Sequence, residues 1–310
     1  MSLGPVGRER IEGEVVAGSK ITLEGLLSRP PVVMDGAIGT MLQDAGLPAG
    51  KPPEAWNLER PEEVRRVAAS YADAGSVIVQ TNTFGANAAR LDGYGLAGNL
   101  REINIRAVAL AREGVGDRAL VAGSVGPTGL CTGINPPPFE RLREIYEAQC
   151  EALAEGGADV MNLETFFDIA EFNAALEAAS GSGVPFMASM TFQETPRGFF
   201  TMMGVKPVEA LRAAEKAGAT AAGANCTLGS GEMGRLIVEM AQEAGGPLLM
   251  KPNAGLPVLE GGRTVYRQKP AEFAADMASA VSAGAVVVGG CCGTTPEFIR
   301  ELVSVMSKEA

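Results

Sequence analysis

The sequence predicts an α/β protein, a single-domain (β/α)8 TIM barrel, on three observations. Eight short apolar runs follow one another, stretches of helical periodicity separate them, and unusual polar residues collect where the runs end. Short runs that are apolar throughout mark parallel strands buried on both faces. A length of 310 residues allows one large barrel or two modest domains. The alternation decides for one barrel over residues 31–310. Residues 1–30 are polar, mixed in charge and glycine-containing, and read as an N-terminal extension.

The runs can be taken in order. Pro31 to Asp35 leads into Asp35-Gly-Ala-Ile-Gly39, and Ser76 to Thr83 carries Gln80-Thr-Asn-Thr-Phe-Gly85. Ala119 to Val125 ends in Gly123-Ser-Val-Gly-Pro-Thr-Gly129, and Asp159 to Glu164 ends in Asn162-Leu-Glu-Thr165. Val184 to Met190 is the fifth run. Thr220 to Cys226 closes on Asn225-Cys226, Pro247 to Lys251 on Lys251-Pro-Asn-Ala-Gly255, and Ala285 to Gly289 on Cys291-Cys292. Helical segments between them include Pro61 to Ala74, Phe139 to Glu155, Pro207 to Ala217 and Glu232 to Ala244. Several end on the same signal, Ala74-Gly75, Gly156-Gly157, Ala217-Gly218 and Ala283-Gly284, where glycine supplies a left-handed stop.

In such a barrel the chemistry sits at the C-terminal ends of the strands. Asp35, Asn82 and Asn253 stand there, although each also suits a helix cap. Glu164 lies among apolar neighbours and needs a cationic or hydrogen-bonding partner.

The last run delivers Gly289-Gly-Cys-Cys-Gly-Thr-Thr-Pro296. A disulfide between adjacent cysteines is strained, so their common partner is a metal, with zinc the leading ion. Gly290 and Gly293 permit the turn, and Thr295 and Pro296 read as helix cap and first helical residue. The chain has no histidine, so a third ligand comes from cysteine, and Cys226 at the end of the sixth run is best placed. Three thiolates leave one zinc position open, as catalytic sites do. The competing reading makes all three buried small apolar residues. Of the other cysteines, Cys131 reads as a loop thiol and Cys150 as core.

A formal charge of −11 and no clustered Lys/Arg run argue against nucleic acid and anionic membrane as partners. No apolar stretch approaches the ~20 residues of a membrane span. Five cysteines and no secretory signal at the N-terminus suit a reducing cytoplasm.

Over residues 31–305 the sequence resembles the homocysteine S-methyltransferases, which include the homocysteine-binding module of cobalamin-dependent methionine synthase and betaine-homocysteine methyltransferase. The resemblance rests on Met34-Asp-Gly-Ala-Ile-Gly-Thr40, Thr81-Asn-Thr-Phe84, Gly126-Pro-Thr128, Glu164-Thr165, Asn225-Cys226, Pro252-Asn-Ala-Gly-Leu-Pro257 and Gly289-Gly-Cys-Cys-Gly-Thr-Thr-Pro296. It is greater to the methionine synthase module. It implies zinc on Cys226, Cys291 and Cys292, with the metal activating the homocysteine thiol for attack on a methyl group. It also implies a substrate site in which Asp35 and Glu164 hold the ammonium, backbone amides near Gly36 and Ala37 hold the carboxylate, and Asn225 takes part. Lys251 departs from the histidine that methionine synthases commonly carry before Pro-Asn-Ala-Gly.

The expected donor is a methylated corrinoid on a separate protein. Cationic donors such as betaine or S-methylmethionine call for aromatic cages, and this chain has one tryptophan, Trp56, and four tyrosines. Two other functions remain open on sequence: a related thiol methyltransferase or corrinoid-coupled demethylase with another acceptor, and a non-catalytic zinc-stabilised barrel that binds a thiol.

Overall fold

The computed structural model describes residues 21–131, 135–261 and 263–309. Residues 1–20 of the expected extension, and Thr132 and Gly133 of the loop after Cys131, lie outside the described residues. The strands are β1 (Val32–Val33), β2 (Ile78–Gln80), β3 (Leu120–Val125), β4 (Val160–Phe166), β5 (Phe186–Met190), β6 (Ala221–Gly229), β7 (Leu248–Asn253) and β8 (Ala285–Val288). All eight pair in parallel in the order β1-β8-β7-β6-β5-β4-β3-β2, and a bridge between Met34 and Ile78 joins the two ends of the sheet. The architecture is a (β/α)8 barrel. The helices that follow the strands are α1 (Pro61–Asp73), α2 (Leu100–Val115), α3 (Phe139–Glu155), α4 (Ile169–Gly181), α5 (Pro207–Ala217), α6 (Ser230–Ala241), α7 (Pro270–Ser282) and α8 (Pro296–Glu309).

Residues alternate across each strand and so feed two cores. Val32, Met34, Ile78, Leu120, Val160, Met187, Leu249 and Val287 fill the barrel interior, joined by Leu23 from the short helix Leu23–Leu27. Val33, Val79, Val121, Leu163 and Val288 face outward and pack against Val67, Leu153, Phe172, Leu211, Ile237, Phe273 and Ile299 from the helices. The glycine stops hold as expected, with Gly75, Gly157, Gly218 and Gly284 at φ 101, 84, 91 and 118°. Among the described residues no helix is long and apolar enough to cross a membrane.

Three differences from the sequence expectation bear on the site. β1 is short, so Asp35 lies just past it, where its N–H still reaches Ile78 O. β6 does not stop at Cys226 but continues to Gly229 through an irregularity in its pairing with β7. The loops after β5 and β7 fold into small antiparallel hairpins, Gln193–Thr195 with Gly198–Phe200 and Val258–Glu260 with Arg263–Val265.

Candidate functional site

Cys226 sits inside the irregularity of β6. Its φ is 60° and that of Thr227 is 59°, left-handed values that a β-branched residue rarely adopts and that cost roughly 1–3 kcal/mol each. Asn225, fully buried, anchors this kink. Its Oδ1 accepts from Thr165 N at 2.7 Å and Ser189 Oγ at 2.8 Å, while its Nδ2 donates to Thr165 Oγ1 at 2.7 Å and approaches Cys291 Sγ at 3.9 Å. One amide therefore ties β4, β5 and β6 to the Cys-Cys segment.

That segment is held on both sides. Gly290 N donates to Asp35 O (2.9 Å), Cys291 N donates to Pro252 O (2.7 Å), and Cys292 O accepts from Ala254 N (3.0 Å). Thr294 folds back, its Oγ1 donating to Cys291 O at 2.7 Å. Glycine is required at Gly293: φ is 81°, and a Cβ would stand 2.2 Å from Cγ of the Tyr266 ring. The three sulfurs of Cys226, Cys291 and Cys292 lie within 4.8 Å of one another, with Cys226 and Cys292 at 4.0 Å.

Charge is unevenly shared within this trio. Hydrogen bonds from the Cys226 and Cys291 thiols drive Cys292 down to about 3, against burial and with help from Tyr266. Cys291 goes up through its hydrogen bonds to Cys226 and Cys292 and through burial. For Cys226, a lowering bond with Cys291 is outweighed by the bond to Cys292 and by burial, which push it up to about 12. Three like ligands around one point favour a single thiolate, and a soft divalent cation among them reverses that by favouring all three. The donor set suits zinc.

A second cluster lies on the neighbouring strand ends. Asp35 is fully buried and its Oδ2 accepts from Gln80 N at 2.7 Å. Glu164 Oε1 accepts from Gln80 Nε2 at 2.5 Å and Ser124 Oγ at 2.6 Å. Lys251, buried on β7, places Nζ 3.4 Å from Asp35 Oδ1 and 3.9 Å from Glu164 Oε2, and donates to Gln80 Oε1. Burial pushes the Asp35 carboxyl up to about 6, only partly opposed by Lys251 and the Gln80 N–H. Burial pulls Lys251 down, but Asp35 and Glu164 outweigh it and hold the ammonium above its ordinary value.

Gly36 and Ala37 join the two clusters. Ala37 N donates to Thr294 Oγ1 (3.2 Å), and Tyr71 OH donates to Ala37 O (2.7 Å) and Thr294 O (3.2 Å). A side chain at position 36 would meet Thr294 Oγ1 at 2.6 Å. The amide expected to bind a carboxylate at Ala37 thus already serves Thr294.

The remaining candidates fall outside the two clusters. Asn82 donates to Pro53 O and Asn57 Oδ1 and so braces the loop after β1. Trp56 is 4% exposed, packs in the outer core and carries the Arg60 guanidinium 5.4 Å from its ring centre. Cys150 is core, as expected. Cys131 is buried as well, and burial, then Glu171 and Asp168, push its thiol up to about 12. Gln80, Ser124, Ser189, Tyr71, Thr294 and Tyr266 were not singled out from sequence as site residues. Gln80 and Ser124 do lie in strand-end blocks, and the period of two along a strand places each beside its neighbours' polar residues.

Fold and site together define a parallel barrel whose strand ends hold a three-thiol centre beside a buried acidic cluster. A profile described as homocysteine S-methyltransferase matches residues 32–306, and the chain belongs to that family. It is 31% identical over 303 residues to a methionine synthase of Mycobacterium leprae (strain TN), covering 91% of this chain and 25% of that protein. A methionine synthase of Mycobacterium tuberculosis (strain ATCC 25618 / H37Rv) is 32% identical over 301 residues, with the same coverage. The chain thus spans about a quarter of the length of these relatives. The metallated form of the homocysteine methyltransferase MmuM from Escherichia coli superposes with a TM-score of 0.78 at 24% identity, over 91% of this chain and 99% of that one, a likeness of fold.

Proposed function

We propose that this chain methylates the thiol of homocysteine to give methionine, with Zn2+ held by Cys226, Cys291 and Cys292. The observation that carries the reading is the gathering of three thiols at the barrel rim, beside a carboxylate whose second oxygen, Glu164 Oε2, lies beyond hydrogen-bond reach of Lys251 at 3.9 Å. Zinc bound there supplies a Lewis acid that lowers a thiol's pKa, so that a thiolate forms near neutral pH without a general base.

The chain's own residues supply the rest. Asn225 and the Cys-Cys stitching hold the thiols in register. The Asp35–Glu164 cluster would provide negative charge for the substrate's ammonium, and the Gly36 amide would receive its carboxylate, since Ala37 N is taken by Thr294 Oγ1. In the transfer the homocysteine sulfur bonds to the methyl carbon, the donor's bond to that carbon breaks with its electron pair left on the donor, and the thiol proton leaves to solvent.

For the donor we infer a methylated corrinoid on a separate protein. A cage for a cationic donor needs several electron-rich rings. Trp56 is buried against Arg60, Tyr71 and Tyr146 are core, and Tyr94 is exposed. Tyr266 alone of these borders Cys292. The test is methionine formation from homocysteine with methylcobalamin, betaine and S-methylmethionine in parallel. Transfer from the corrinoid is expected. Transfer from a cationic donor with none from the corrinoid overturns the donor assignment, and zinc binding with no turnover on any donor supports the non-catalytic alternative.

A further inference from the structure

We propose that Lys251 is a resident counter-ion that takes Asp35 out of ligand recognition and leaves Glu164 Oε2 as the one carboxylate oxygen that reads a substrate ammonium. The ligand class rests on the homocysteine reading above; the counter-ion role does not.

The two carboxylates differ in what remains open on them. Asp35 is fully buried, with Oδ2 taken by Gln80 N at 2.7 Å and Oδ1 facing Lys251 Nζ at 3.4 Å. Both of its oxygens are met by the chain itself. On Glu164, Oε1 is taken by Gln80 Nε2 and Ser124 Oγ, whereas Oε2 has Lys251 Nζ at 3.9 Å, outside hydrogen-bond range, and the side chain keeps 9% exposure.

Lys251 cannot easily swing aside to admit a second ammonium. Its side chain is 1% exposed and packs beside Gly289, in ordinary contact range of that position. Its Nζ also donates to Gln80 Oε1, and the same Gln80 donates to Glu164, so one amide orients both ends of the cluster. Two carboxylates and one internal ammonium leave a net single negative charge. That charge suits a ligand with one cationic group, an α-amino thiol, held at Glu164.

The experiment measures, on the zinc-loaded protein, binding of homocysteine and of its desamino analogue 4-sulfanylbutanoate to the native chain and to Glu164→Gln and Asp35→Asn. Loss of a buried charge contact in Glu164→Gln should weaken homocysteine by about 30-fold or more, with the analogue changed by less than about twofold. Asp35→Asn should shift both ligands by the same factor, so that their affinity ratio stays within about twofold of native. A homocysteine-selective loss in Asp35→Asn as large as that in Glu164→Gln overturns the proposal. A second measurement needs no ligand: thermal unfolding of metal-free Lys251→Met, Asp35→Asn and the double variant. Lys251→Met should lower Tm by leaving two buried carboxylates uncompensated, and adding Asp35→Asn should recover most of that loss, whereas a double variant no more stable than Lys251→Met overturns the counter-ion role. If the native protein binds neither thiol, the homocysteine reading fails, while the unfolding cycle still judges Lys251.

Discussion

Cys226, Cys291 and Cys292 receive one side-chain amide, Asn225 Nδ2 at 3.9 Å from Cys291 Sγ, and no hydrogen bond from a basic side chain among the described residues, whereas Asp35 and Glu164 at the same rim hold a lysine between them. The acidic cluster balances its charge from within the fold. The thiol cluster does not, and its partners arrange geometry rather than charge. The group that must accept an exchangeable ion has no cation in hydrogen-bond contact, Lys251 acting on Cys291 only through space, while the group that must keep a fixed shape holds its own. Each half of this contrast can be broken separately.

The largest effect is expected at the thiols. Cys291→Ser and Cys292→Ser remove a soft ligand that nothing nearby replaces, and zinc affinity should fall by about 100-fold or more, as read by metal content after dialysis against a chelator. The fold should survive, because the two cores do not depend on the trio. Stoichiometric zinc at native affinity in both variants breaks the comparison on the thiol side.

Next comes the acidic cluster, through pH. Asp35 has its folded value raised from 3.8 to about 6, so between these values the folded state holds a proton that the unfolded state has lost. The stability this group contributes is complete below 3.8 and is lost as pH rises through about 6. Two units correspond to about 3 kcal/mol at most. Tm of the native chain should rise on going from pH 7 to pH 5, and Asp35→Asn, which cannot titrate, should flatten that part of the curve. An unchanged slope in Asp35→Asn removes burial of Asp35 from the account.

Much of this was legible in the sequence, for reasons that also mark where legibility ends. The eight strands could be read because a parallel barrel strand is apolar on both faces, so each announces itself locally. The cysteine trio could be read because adjacent cysteines and an absence of histidine leave few other ways to hold a soft metal. The role of Lys251 could not, because its partner Gln80 is 171 residues away and the pairing exists only once the barrel closes. The kink of β6 was hidden too, since threonine at φ 59° contradicts its own propensity and is imposed by tertiary contacts. The two hairpins left weaker traces that could have been used: Thr195-Pro-Arg-Gly198 and Glu260-Gly-Gly-Arg263 both carry turn chemistry between short runs.

The finest test of the contrast is Asn225→Ala, which asks whether geometry alone matters to the thiols. The amide carries no charge, so its removal leaves the electrostatics of the trio nearly untouched. It does strip a buried acceptor from Thr165 N and Ser189 Oγ and a donor from Thr165 Oγ1, and it frees Cys291 Sγ to move. Thr165, at φ 67°, and Cys226, at φ 60°, are both held in left-handed backbone that relaxes once this brace is gone. Zinc affinity should therefore fall by about 10- to 100-fold, the usual cost of losing a partner that orients a metal ligand, with all three cysteines still present. Asn225→Asp sharpens the result. It keeps the acceptor for Thr165 N and Ser189 Oγ but turns the donor facing Cys291 into a negative charge, so it should preserve Tm better than Asn225→Ala. Native zinc affinity in Asn225→Ala, measured by competition with a chromophoric chelator, would show that the Cys-Cys stitching to Pro252, Ala254 and Asp35 is sufficient to set the thiols by itself.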